Sequence, residues 1–300
     1  MITLDGFAQA LLFGIANGCV YILLATGLNL IFGVMKLVNF AHGQLLMVGA
    51  FVAYETTKIF GLNPYVSILV SMGSVALIGI LLEKFAFSRV RGTEKLNEIF
   101  ISLGLIYVFE NVATLFWEKN YNIQINSPLV GLSLSLGEIA VSYDRILAMV
   151  IVVVILIGLM LLMSKSKIGL AMRATSQKSD ASMLMGININ RVYLFTFAVG
   201  AALAGAAGAL YGIIFNFNPT VGALPTIKGF AIIILGGLGS LPGAVVGGLL
   251  YGIAETSTAY VLSDPAVLGS AGSWPDAIAF ALLIAVLVVR PTGIFGQKGE

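Results

Sequence analysis

Charge is scarce here: 10% of the 300 residues are Asp, Glu, Lys or Arg, where a soluble domain averages about 25%. So little charge cannot cover a water-facing surface. With 59% hydrophobic residues, the chain reads as an all-α polytopic membrane protein, because backbone in lipid must satisfy its own hydrogen bonds. Cysteine and histidine are nearly absent. The lone Cys19 and lone His42 exclude a disulfide framework and leave no ligand set for a metal, so Cys19 reads as a small residue packed in a helix. Sixteen basic against fourteen acidic residues, net +2, is too small an excess to draw nucleic acid. No GxxxxGK[ST] loop occurs, so the chain is not expected to bind ATP itself. GxSxG, HExxH and CxxC are missing too, and no catalytic residue or cofactor is expected. Neither a TVGYG filter nor an arginine-rich voltage-sensor helix supports a cation channel.

What is present is apolar length. Runs approaching the about 20 residues that span hydrocarbon lie at Phe7 to Gly33, Phe40 to Phe60, Pro64 to Phe87, Ile99 to Trp117, Ile146 to Met163, Val192 to Phe215, Gly243 to Leu262 and Ala277 to Val289. Ile227 to Leu235 is apolar but short, which suits a half-helix or re-entrant segment; eight to nine spanning or half-spanning helices are expected. The N-terminal stretch lacks a basic n-region and its apolar run is too long for a signal peptide, so it reads as the first span. Basic loops set the orientation. Lys84, Arg89, Arg91 and Lys95, the segment Ser164 to Arg191, and Arg290 with Lys298 place those parts and the C-terminus in the cytoplasm. Glu118 to Arg145, Ser263 to Asp276 and the N-terminus then face outward. The chain reads as one transmembrane domain, with a first half over 1–145 and a second over 192–300.

Two glycine-rich stretches, Gly27 to Phe51 and Ile227 to Gly252, interrupt the halves at comparable places, each with a Lys near its start. Such paired interruptions point to an inverted repeat around a transport pathway. Glycine also recurs every fourth residue, as in Gly200, Ala204, Gly208 and Gly212, and in Gly243 and Gly247 followed by Tyr251. These are expected packing seams, since lipid gives helices no hydrophobic reason to associate and close approach must supply the attraction.

Polar residues inside spans are costly and therefore informative. Glu110 and Glu255 lie within apolar helices, where a carboxylate costs about 2.5–3.5 kcal/mol on an insertion scale. Each reads either as an ammonium-binding group of the pathway or as a partner for Lys36, Lys228 or helix amides, the structural pairing being favoured. Asn17, Asn29, Asn39, His42 and Gln44 form a second polar group along the first interruption; of these, Asn17, Asn39, His42 and Gln44 join Glu110 and Glu255 as the candidate pathway residues. His42 is expected to be a buried, hydrogen-bonded imidazole rather than a proton carrier.

The segment Ser164 to Arg191 is the long polar interruption rich in positive charge. Lys165, Lys167, Arg173, Lys178 and Arg191 stand against the single acid Asp180. Leu170 and Ala174 can share one helical face and Ala181, Leu184 and Met185 another, with Ser179 as a cap and Gly186 as a stop. Physical reasoning leaves two readings: one or two short helices lying flat at the cytoplasmic surface, or a basic loop that only sets orientation.

The run GLNLIFGVMKLVNFAHGQLLMVGAF, the segment IGLAMRATSQKSDASMLMGININRV with its following FAVGAALAGAAGALYG, the turn GGLGSLPGAVVGG and the terminal RPTGIFG resemble the bacterial branched-chain amino acid (leucine/isoleucine/valine) ABC transporter permeases, the shorter permease of the pair. The resemblance runs nearly the whole chain. It implies a permease subunit in the bacterial inner membrane, forming the pathway for hydrophobic amino acids. The implied partners are a second permease in a heterodimer, two cytoplasmic ATP-binding subunits that hold the ATP, and an extracytoplasmic substrate-binding protein. It further implies that Gly169 to Gly186 docks on the ATPase, with Gly169, Arg173, Ala174, Ala181, Leu184 and Gly186 as coupling residues. Two alternatives remain at this point: a secondary transporter in which Glu110 or Glu255 titrates, and a permease of the same kind serving amides or urea.

Overall fold

The structure is a computed structural model that describes residues 3–117, 122–136, 139–262 and 274–296. The helices are α1 (Leu4–Met35), α2 (His42–Phe60), α3 (Pro64–Leu82), α4 (Lys95–Trp117), α5 (Tyr143–Lys165), α6 (Lys167–Gln177), α7 (Ser179–Leu184), α8 (Ile189–Ile214), α9 (Ala223–Gly236), α10 (Leu241–Leu262) and α11 (Trp274–Val289). A π-helical turn, Glu83–Phe87, extends α3, and a small antiparallel hairpin, β1 (Ser133–Leu136) with β2 (Ile139–Ser142), precedes α5. Every expected apolar run is a helix, and among the described residues six helices are long and apolar enough to cross a bilayer. Most of the expected outward loop Ser263 to Asp276 lies outside the described residues.

Local chemistry sets the ends. Thr3 caps α1, its hydroxyl accepting from the Gly6 N–H at 3.1 Å, and Lys36 ends it in the left-handed region at φ 55°. Pro64 sits in the first turn of α3, where its missing N–H is no loss, behind the Asn63 cap.

The two most buried long helices are α1 and α8, with 83% and 72% of their apolar windows inside the protein, against 11% for α4 and 22% for α5. Glycine makes this burial possible. A Cβ on Gly14 would stand 2.7 Å from the Ile253 Cα, and one on Gly18 2.9 Å from the Gly248 carbonyl, so α1 and α10 touch backbone to backbone. The seam expected on α8 is present: Gly200 meets the Gly27 carbonyl and Ile31, Gly208 meets the Leu46 carbonyl of α2, and Gly212 meets Ile125 and Phe217. Close contact replaces the hydrophobic drive that lipid withholds. Gly208→Leu is therefore expected to force α2 from α8 and destabilise the fold by about 1–3 kcal/mol, the usual range for overpacking. Gly158→Leu, where the structure leaves open space, is the control; equal melting temperatures in detergent for the two variants would refute the seam.

Two helical returns place the centre. At Lys36 the chain leaves α1 on the face that carries the basic segment, then runs back without helix to His42, which lies against Gly27. At Ile214 it leaves α8 on the opposite face, where Phe217 pairs with Ile123 in the segment ahead of the hairpin, and residues 215–222 run back to the start of α9. Each return carries an Asn that satisfies freed backbone. Asn39 Oδ1 accepts from Ala41 N–H and Asn218 Oδ1 from Thr220 N–H, each at 3.0 Å. The half-helices α2 and α9 then meet N-terminus to N-terminus, the Gly43 N–H donating to Thr226 Oγ1 at 3.1 Å. They run to opposite faces: α2 toward the Thr57–Ser67 contact, α9 toward the turn beside Gly33. The units are thus inverted copies, long helix, return, half-helix. The second return is Phe215 to Gly222 rather than the expected stretch Ile227 to Gly252, which is a helix, a tight turn and a helix. Gly237 and Gly239, at φ 107° and 82°, suit reversal at a surface, whereas a return through hydrocarbon needs the side-chain hydrogen bonding that Asn218 supplies.

Candidate functional site

The candidate pathway residues form two groups. In the first, at the tip-to-tip junction, Asn39, His42 and Gln44 are fully buried. Gln44 Nε2 donates to Glu110 Oε1 at 2.9 Å, tying α2 to α4. A Cβ on Gly43 would strike the Gly222 carbonyl and the Thr226 hydroxyl. The His42 imidazole is fully buried, as expected, and faces the Leu24 backbone of α1.

The second group sits between α1, α9 and α10. Lys228 Nζ donates to Glu255 Oε1 at 2.8 Å, and Tyr21 donates to the same oxygen at 3.4 Å. Asn17 Nδ2 donates to Thr256 Oγ1 and Asn17 Oδ1 accepts from Arg145, both at 3.4 Å. Each glutamate therefore has a partner. Glu255 takes the expected Lys228, and Glu110 takes Gln44 rather than Lys36. Such partners remove the penalty of an isolated carboxylate in a span.

On the basic face, α6 and α7 join α5 to α8. Ser166 caps α6, accepting from Gly169 N–H at 3.0 Å. Lys178, not Ser179, occupies the cap position of α7, and Ser179 is its first helical residue. Gly186 stops it as expected, at φ 83°, with Gly186 N–H donating to Met183 O and Ile187 N–H to Ser182 O, a left-handed C-cap. The residues named for coupling divide by position. Gly169 is buried, where a Cβ would lie 2.7 Å from the Met163 Cα, so it packs α6 on α5. Arg173, Ala181, Leu184 and Gly186 are exposed and Ala174 is half-buried. Leu184 is 89% and Met185 83% exposed, beside Met183. Among the described residues nothing covers that apolar knob.

A polar hub absent from the sequence reading anchors this segment. Glu83, in the π-turn and 1% exposed, pairs with Arg91. Arg91 also donates to Asn190 Oδ1 at 3.0 Å and lies 4.3 Å over the Tyr193 ring. Asn190 and Tyr193 are in the first turns of α8, directly after the knob. The signal that could have found it is Glu83 itself, an acid at the end of an apolar run followed eight residues later by Arg91.

The chain matches the profile of the family described as branched-chain amino acid transport system / permease component over residues 10–287. It is 34% identical over 303 residues to the high-affinity branched-chain amino acid transport system permease protein BraD of Pseudomonas aeruginosa, covering 97% of this chain and 96% of that one. The corresponding LivH of Salmonella typhimurium is 32% identical, covering 97% and 96%. A probable branched-chain amino acid transport permease protein LivH from Methanocaldococcus jannaschii is 30% identical, covering 92% and 88%.

Proposed function

The chain belongs to the family of branched-chain amino acid transport system permease components, and from that premise we propose that it is a permease subunit of an ATP-driven importer of branched-chain amino acids. ATP is held and hydrolysed by two partner subunits on the basic face, which is cytoplasmic together with the C-terminus. A second, related permease completes the pathway, and an extracytoplasmic binding protein delivers the solute to the hairpin face of a bacterial inner membrane. The observation that carries the coupling role is the knob of Leu184 and Met185, exposed at the end of a short helix that Gly186 stops. ATPase closure pushes on α7, and the push enters α8 through Asn190, Tyr193 and Arg91, the inverted half-helices rocking about their returns.

The second permease packs on α4. The exposed face of α5 is aliphatic apart from Gly158, with Val150, Val153, Val154, Ile157 and Leu161 and no exposed amide in that stretch. That of α4 carries Gly104, Tyr107 and Asn111 on one helical face, and small and amide residues in a span mark helix contacts. The experiment is purification of the tagged chain from its host in mild detergent with mass identification of its companions. Two ATPase subunits and a second permease are expected. Recovery of the chain alone would favour a secondary transporter and turn attention to Glu110 and Glu255.

A further inference from the structure

Where α1 ends on the basic face, a cavity of about 770 Å³ opens between α1, the elbow of α5 and α6, and the turn joining α9 to α10. Its size falls in the range of small-molecule sites, about 300–1,000 Å³. Two cations line it, Lys36 from the end of α1 and Arg173 from α6, and none of the lining residues is acidic. Neither cation belongs to an ion pair among the described residues. The rest of the wall is partly apolar, with Val34, Met163, Met172 and Leu241. Met163 lies in the last turn of α5, which ends at Lys165, so the cavity stands at the end of a span.

We propose that this cavity is an anion site for a phosphate group, held between Lys36 and Arg173. Like charges facing one pocket repel and are settled by an anion between them, and a basic pocket between helices at a cytoplasmic surface matches an acidic phospholipid headgroup. The apolar wall gives the first methylenes of a lipid a place that free phosphate would not use. An occupied site bridges the buried α1 to α6, and so braces the segment that carries the coupling knob; this consequence rests on the importer reading, whereas binding itself does not.

The test is native mass spectrometry of the purified full chain, with whatever subunits accompany it, from nanodiscs of phosphatidylcholine containing phosphatidylglycerol. A parallel arm measures melting temperature in phosphatidylcholine alone with added inorganic phosphate. The variants are Lys36→Asn, since Asn tolerates the left-handed conformation there, and Lys36→Asn with Arg173→Gln; Lys84→Gln, away from the cavity, is the control. At about fivefold per cation near a membrane surface, retention should weaken roughly fivefold in the single variant and roughly thirtyfold in the double. Retained phosphatidylglycerol lost in this order assigns the site to lipid. Phosphate-dependent stabilisation that the double variant lacks, without lipid retention, assigns it to a soluble phosphate. If lipid retention and phosphate response are the same in wild type, control and double variant, the site does not exist. The readout is independent of whether ATPases co-purify, so its failure and that of the importer reading are separable.

Discussion

Leu184→Glu is expected to leave the chain folded and inserted while ATP-driven uptake collapses. Leu184 is 89% exposed, so a carboxylate there faces water and costs the isolated subunit almost nothing. In the proposed importer the same side chain would fill an apolar groove of the ATPase, and an anchor of that kind contributes about 2 kcal/mol or more, roughly thirtyfold in association. Gly186→Pro should act through geometry instead. Gly186 sits at φ 83° and donates its N–H to Met183 O at 2.9 Å; proline reaches neither that angle nor that bond. The measurement is uptake per ATP hydrolysed in proteoliposomes of the complete assembly, with membrane insertion checked by protease protection. A wild-type ratio in both variants would remove α7 from the coupling path.

The second large effect is expected from Arg91→Ala. Glu83 is 1% exposed, and Arg91 is its ion-pair partner. Removing one member of a buried pair strands the other charge, at a cost of about 3–5 kcal/mol. Replacing both, Glu83→Leu with Arg91→Leu, should recover most of that loss, because an apolar pair needs no solvation. Coupling should not recover with it, since the Arg91 contacts to Asn190 and Tyr193 are lost in both variants. Thermal unfolding in detergent reads the first effect and the transport ratio the second. An Arg91→Ala protein that melts like wild type would show that the pair does not stabilise the fold.

Much of the fold was legible because hydrocarbon is an exacting solvent. Spans must be long, apolar and helical, and the eight runs from Phe7 to Val289 became helices for that reason alone. The glycine seam of α8 and the short helix at Ile227 to Leu235 were equally visible, since each follows from spacing and length along one segment. The candidate site was less legible. Residues gathered from one stretch, Asn39, His42 and Gln44, do lie together, yet Glu110 joins them only because α4 crosses α2, and Asn17 with Glu255 belongs to another cluster.

Sequence by itself determined the solvent of each segment, the helix ends at Pro64 and Gly186, and the basic segment between α5 and α8. Those depend on neighbours within a turn or two and on transfer energies of single residues. Tertiary structure alone decided that the second return is Phe215 to Gly222, that Glu83 answers Arg91, that Gly169 packs while Leu184 projects, and that Lys36 and Arg173 face one cavity. Each is a pairing between helices. In a chain where nearly every helix is apolar on all sides, periodicity does not say which face meets protein and which meets lipid; only the close approach of particular backbones does.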